Sequence, residues 1–172
     1  MIEFLARLGH QRRYWLFLVL LGLALESAAL YYQYALDEWP CVLCIHVRLW
    51  LVVLILVAVL GVTVRGSWPG RVVAHGLTVL VTVAILERAW RLLGVERGTI
   101  AGECSFDLGL PAWLPLDQWF PQLFQVQEAC GYTPVLPFGL SMAQVLPVFS
   151  TVLLLFSLSL LVATLASGRA SS

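Results

Sequence analysis

The chain contains no lysine, and only 12% of its residues are charged. Its ten cations are all arginine and are matched by ten acidic residues. No basic stripe can form to collect phosphates, so nucleic acid is excluded as a partner. The sequence also lacks an internal repeat, a low-complexity tract and a flexible linker. Nothing divides it, and a single domain over residues 1–172 is predicted. The first apolar run has no small-residue cleavage site after it, is too long for a signal peptide and carries Glu26. It is therefore expected to be retained as a membrane helix.

What the chain has instead is apolar surface, with hydrophobic residues making up 60% of it. That places it among integral membrane proteins. Four segments each approach the ~20 residues needed to cross a hydrocarbon core: about 14–36, 42–64, 72–93 and 145–166. The predicted fold is an all-α membrane protein, a four-transmembrane-helix bundle with a long outer loop at about 94–144 that carries a short interfacial helix. Arg7, Arg12, Arg13, Arg65, Arg71 and Arg169 all fall on one side of such a bundle. Asp37, Glu38, Glu96, Glu103, Asp107, Asp117 and Glu128 fall on the other, against Arg97. The positive-inside rule then places both termini in the cytoplasm. Arg88 and Arg91 near the outer end of span three oppose this, although Glu87 lies four residues before Arg91 and can pair with it.

This topology puts all four cysteines, Cys41, Cys44, Cys104 and Cys130, on the oxidising side, where disulfides persist. Between the last two lies a Pro- and Trp-rich stretch, residues 111–124. Trp113, Leu116, Trp119, Phe120, Leu123 and Phe124 are enough to lay a short interfacial helix in the headgroup region. Such a helix would keep the flanking cysteines near the outer ends of the spans.

The stretch that organises the rest runs from Pro40 to Arg48, with Cys41-Val42-Leu43-Cys44 at its start. In a helix beginning there, Cys41, Cys44 and Arg48 share one face of the first two turns. The helix N-terminus and the guanidinium both favour a thiolate. His46 points to another face and reads as a polar interfacial residue or a proton carrier. Glu26, deep in span one, is costly unless partnered, which marks it as either a functional carboxyl or a neutral hydrogen-bonded one. The residues alone leave three readings of the cysteines open. They could form a zinc site of four thiolates, two inert disulfides stapling the outer surface, or a redox relay, which would also account for Arg48.

Taken together, Cys41-Val42-Leu43-Cys44 with Arg48, Glu26, the separated Cys104 and Cys130, and Trp113-Leu114-Pro115-Leu116-Asp117 closely resemble the DsbB family of the bacterial inner membrane. The resemblance covers essentially the whole chain. It implies a quinone-dependent thiol oxidase that reoxidises a DsbA-like periplasmic dithiol protein and passes electrons to ubiquinone or menaquinone in the bilayer. It also implies roles for individual residues. Cys104 would be attacked by the reduced partner, releasing Cys130, and electrons would pass to Cys41 and Cys44. Cys44 would stand against the quinone, with Arg48 stabilising charge on its oxygen. Some relatives carry a quinone-linked histidine near the outer end of span three. This chain has Arg88, Trp90 and Arg91 there, and Arg91 is the expected electrostatic substitute. A reductase of the vitamin K epoxide reductase type is the competing enzyme reading, although its active pair usually sits late in the bundle. A scaffold with purely structural disulfides is the competing non-enzyme reading.

Overall fold

The computed structural model describes residues 2–101, 107–111 and 113–169. Among the described residues seven helices follow in order: α1 (Ile2–His10), α2 (Arg12–Ala35), α3 (Val42–Val64), α4 (Trp68–Glu96), α5 (Leu116–Trp119), α6 (Pro121–Phe124) and α7 (Met142–Arg169). Four of them, α2, α3, α4 and α7, are long and apolar enough to cross a membrane. Among the described residues there is no strand, only isolated bridges between Cys41 and Glu128 and between Val135 and Ser141. The chain is an all-helical, multi-pass membrane protein.

α4 and α7 extend past both ends of the predicted spans. A hydropathy count sees only the hydrocarbon-crossing part, whereas the helices continue into the interface. Ser67 caps α4, its hydroxyl accepting from the Gly70 amide at 3.3 Å, and Pro69 falls in the first turn, where its missing N–H costs nothing. The expected interfacial helix is two single turns, α5 and α6. They break at Phe120 (φ −134°, ψ 64°), because Pro121 disfavours helical geometry in the residue before it.

The core is built by close approach. A Cβ at Gly61 of α3 would run into the indole of Trp15 on α2, so glycine is what lets these helices meet. Trp15 is fully buried and donates its Nε1–H to the Gly9 carbonyl at 3.1 Å, which ties α1 to α2. The hydroxyls buried between α4 and α7 (Thr78, Thr82, Ser150, Ser157 and Thr164) return to carbonyls of their own helices at 2.6–3.0 Å. They are polar residues that need no partner across the interface. Ser150, Ser157 and Thr164 recur every seven residues, giving α7 one narrow seam of small side chains.

At the outer end the turn between α2 and α3 is tight, with Asp37 in the left-handed region (φ 54°). Glu96, at the end of α4, accepts hydroxyl hydrogen bonds from Thr133 at 2.6 Å and Ser141 at 2.8 Å. This clamps the 133–141 segment to the bundle. Glu96→Ala strips both hydroxyls of their acceptor and is expected to cost about 1–3 kcal/mol. Hydrogen exchange should show the loss as faster exchange of amides 133–141; unchanged protection there would show that the clamp does not hold the segment.

Candidate active site

α3 starts where the sequence places it, at Val42, with Cys41 as its cap. The Cys41 sulfur accepts from the Cys44 amide at 3.4 Å, and the two Sγ atoms stand 2.7 Å apart. Cys41 is buried and Cys44 half-buried. Cys130 arrives from the far loop. Its thiol interacts with Cys41 and lies near the backbone N–H groups of Leu43 and Val42. The Cys41 sulfur thus takes up one of the first-turn donors of α3, which any helix start must satisfy, and Cys130 is brought beside two more.

Backbone pairing delivers Cys130. The Gln127 and Glu128 amides donate to the Pro40 carbonyl at 3.1 and 3.4 Å, so residues 127–128 run alongside Pro40 and Cys41. Gly131, immediately after Cys130, has φ +137°, open only to glycine.

Contact among the sulfurs governs their protonation when they are reduced. At Cys41 the hydrogen bond with Cys130 lowers the pKa, but the hydrogen bond with Cys44 and burial outweigh it, and the thiol is pushed up to about 12. Cys130 is raised by its hydrogen bond with Cys41 and by burial, against the opposing pull of the Leu43 and Val42 amides. Both therefore hold their protons at neutral pH in the reduced protein.

Arg48 is buried one turn below Cys44. Its Nη1 donates to Gln33 Oε1 at 2.5 Å and to the Leu123 carbonyl at 3.4 Å, and its Nη2 donates to the Ala29 carbonyl at 2.9 Å. The guanidinium is thereby fixed between α2, α3 and α6. Glu26, one turn before Ala29 on α2, interacts electrostatically with it, and its Oε1 is buried without a hydrogen-bond partner among the described residues.

Cys44 and Arg48 open onto a cavity of about 240 Å³, walled chiefly by Leu25, Leu51, Ile85 and Phe149, with Tyr132 and Glu38 at its outer rim. Apolar walls with a few convergent polar groups are what small-molecule sites present, and the volume lies just below their usual ~300–1,000 Å³. A planar carbonyl-bearing ring with an apolar tail fits this donor set. The apolar walls suit the tail, and a fixed cation and a sulfur both line the same cavity.

The structure thus brings together Cys41, Cys44, Arg48 and Cys130. Cys104 lies outside the described residues. Arg91 is not brought to the cavity; it is half-exposed on the outer part of α4 and ion-paired with Glu87. His46 points away from Arg48, its Nε2 2.9 Å from the Leu108 carbonyl. It lines a separate hollow of about 480 Å³ with Trp50 and Arg88. Sequence reasoning missed Gln33, which is almost fully buried. The signal was available, since Gln33 lies seven residues after Glu26 and so shares its face of α2.

Comparison with known proteins identifies the family. Residues 11–160 match the family described as Disulfide bond formation protein DsbB. The chain is similar to Disulfide bond formation protein B 2 of Pseudomonas aeruginosa PAO1, with 34% identity over 161 residues and 92% of each chain covered. It is also similar to Disulfide bond formation protein B of Haemophilus influenzae 86-028NP, with 30% identity over 170 residues covering 98% of this chain and 96% of the relative. A third relative, Disulfide bond formation protein B of Shewanella frigidimarina, is 34% identical over 137 residues, 78% of this chain and 80% of the relative. With the family matched over residues 11–160 and relatives 30–34% identical over most of their length, the chain belongs to the DsbB family of quinone-dependent disulfide oxidoreductases.

Proposed function

We propose that this protein reoxidises a DsbA-like periplasmic dithiol protein through two cysteine pairs, and that Cys44 and Arg48 form the quinone end of the route. The observation that carries this reading is the placement of Cys41. It touches Cys130 on one side and Cys44 on the other, and Cys44 in turn opens onto the apolar cavity.

The exchange steps balance as follows. A thiolate of the reduced partner attacks Cys104 of a Cys104–Cys130 disulfide, forming a mixed disulfide and releasing Cys130 as the leaving thiolate. At this step Cys41 is bonded to Cys44 and shares no proton with Cys130, so the raising effect of that contact is absent and the Val42 and Leu43 amides at the start of α3 favour the released thiolate. Cys130 then attacks Cys41 of the Cys41–Cys44 disulfide, which breaks that bond, forms Cys41–Cys130 and releases Cys44. The partner's second thiol displaces Cys104, leaving the partner oxidised. Cys104 attacks Cys130, restoring the loop disulfide and freeing Cys41. The sum is one partner dithiol oxidised and the Cys41–Cys44 pair reduced. A ubiquinone or menaquinone bound in the cavity supplies the acceptor for two electrons and two protons. Arg48 holds a positive charge at the wall where oxygen charge would develop, fixed in advance by three acceptors, so little reorganisation is needed. Arg91, turned to Glu87, has no part in this site. The arginine distribution supports cytoplasmic termini and periplasmic cysteines.

Purified protein given a reduced periplasmic dithiol partner and a soluble quinone should reduce the quinone, followed by absorbance; no thiol-dependent absorbance change would remove the reading. For the entry step, the Cys104 thiol left free in Cys130→Ser should displace the leaving thiol from a partner whose one remaining active-site cysteine carries an activated mixed disulfide, and so accumulate a Cys104–partner bond. If none is trapped under oxidising conditions, Cys104 is not the entry point.

A further inference from the structure

We infer that Gln33 is a positioning residue that, with Gln127, locks the loop carrying Cys130 to the helix pair carrying Arg48. This rests on the reading of Cys130 and Arg48 above and extends it. Arginine has donors only, so the Gln33 atom 2.5 Å from Arg48 Nη1 must be Oε1. The amide is thereby oriented, and its Nε2 faces Gln127, donating to Oε1 of that residue at 3.2 Å. The Gln127 backbone amide donates in turn to the Pro40 carbonyl, beside Cys41. The polar path runs from Arg48 through Gln33 and Gln127 to the residue before Cys41, and it joins positions 94 residues apart in the chain.

Gln33 is 2% exposed in an otherwise apolar part of α2. An amide is costly there unless both its ends are used, and here one end faces the cavity's cation and the other faces the Cys130 loop. Cys130 follows Gln127 by three residues, so a loop held at Gln127 keeps the Cys130 sulfur on Cys41. Gln33 touches neither sulfur and acts through the parts it holds.

The test begins in a Cys44→Ser, Cys104→Ser background, where Cys41 and Cys130 are the two thiols left. The rate at which diamide joins them, followed by non-reducing peptide mapping, reports how well the loop is held. Adding Gln127→Ala should slow joining about fivefold, the order expected for one lost hydrogen bond. Gln127→Glu keeps an acceptor for Gln33 Nε2 and should restore the rate. In the four-cysteine protein Gln127→Ala should leave the KM for quinone unchanged, whereas Gln33→Leu should raise it by removing an Arg48 acceptor. Gln127 has an exposed side chain, so its variants should fold even if Gln33→Leu does not. Joining at the undiminished rate in Gln127→Ala, failure of Gln127→Glu to restore it, or a raised quinone KM in Gln127→Ala would each overturn the inference. The joining assay needs no quinone, so it separates failure of this inference from failure of the quinone oxidase reading.

Discussion

Cys44→Ser should abolish turnover with quinone, a loss on the order of 10³-fold or more, as removal of an essential nucleophile does. Of the three described cysteines, Cys44 alone lines the apolar cavity. Cys41 and Cys130 remain in contact without it, so the partner-side chemistry should survive while the quinone side stops. A single equivalent of reduced partner should therefore be oxidised by the Cys104–Cys130 disulfide, leaving Cys41, Cys104 and Cys130 as thiols. Stopped-flow absorbance with excess quinone separates that single event from turnover. If the variant kept normal multiple turnover, the exit through Cys44 would be wrong.

Arg48→Met is expected to have the second largest effect. The guanidinium makes three hydrogen bonds to acceptors that cannot donate in return. A charge-assisted hydrogen bond contributes about 1.5–3 kcal/mol, so losing one such contact to quinone should raise its KM or lower kcat by about 10- to 100-fold. Arg48→Lys should recover only part of this, because an ammonium keeps the charge but cannot span carbonyls on two helices and the Gln33 amide as a planar fork does. Steady-state kinetics against quinone concentration checks both variants. Unchanged KM and kcat in Arg48→Met would place the quinone elsewhere. Far-UV circular dichroism and the melting temperature of the Arg48→Met protein serve as folding controls.

The same Arg48 shows how far local pattern reaches. Its position four residues after Cys44 put both on one face of α3 before any tertiary information, because helical periodicity alone decides that. Its partners on α2 and in the loop could not be read in the same way. Ala29 and Leu123 contribute carbonyls, which sequence does not mark. Gln33 was visible only as one amide on the face of Glu26. Arg91 is the converse case: four residues after Glu87 on the same helix, it had a local partner in the sequence already, and that ion pair is what the structure contains.

The amino-acid order by itself determined the membrane class, the four crossing helices, the start of α3 at the Cys-x-x-Cys and the shared face of Cys44 and Arg48. Each of these follows from composition or a period of a few residues. Tertiary structure alone decided that Cys130 lies on Cys41, that the 127–128 backbone pairs with Pro40, and that Gln33 joins the cation to the loop. Those contacts are made by backbone carbonyls and single polar atoms brought from distant parts of the chain, and no local periodicity encodes where such atoms meet.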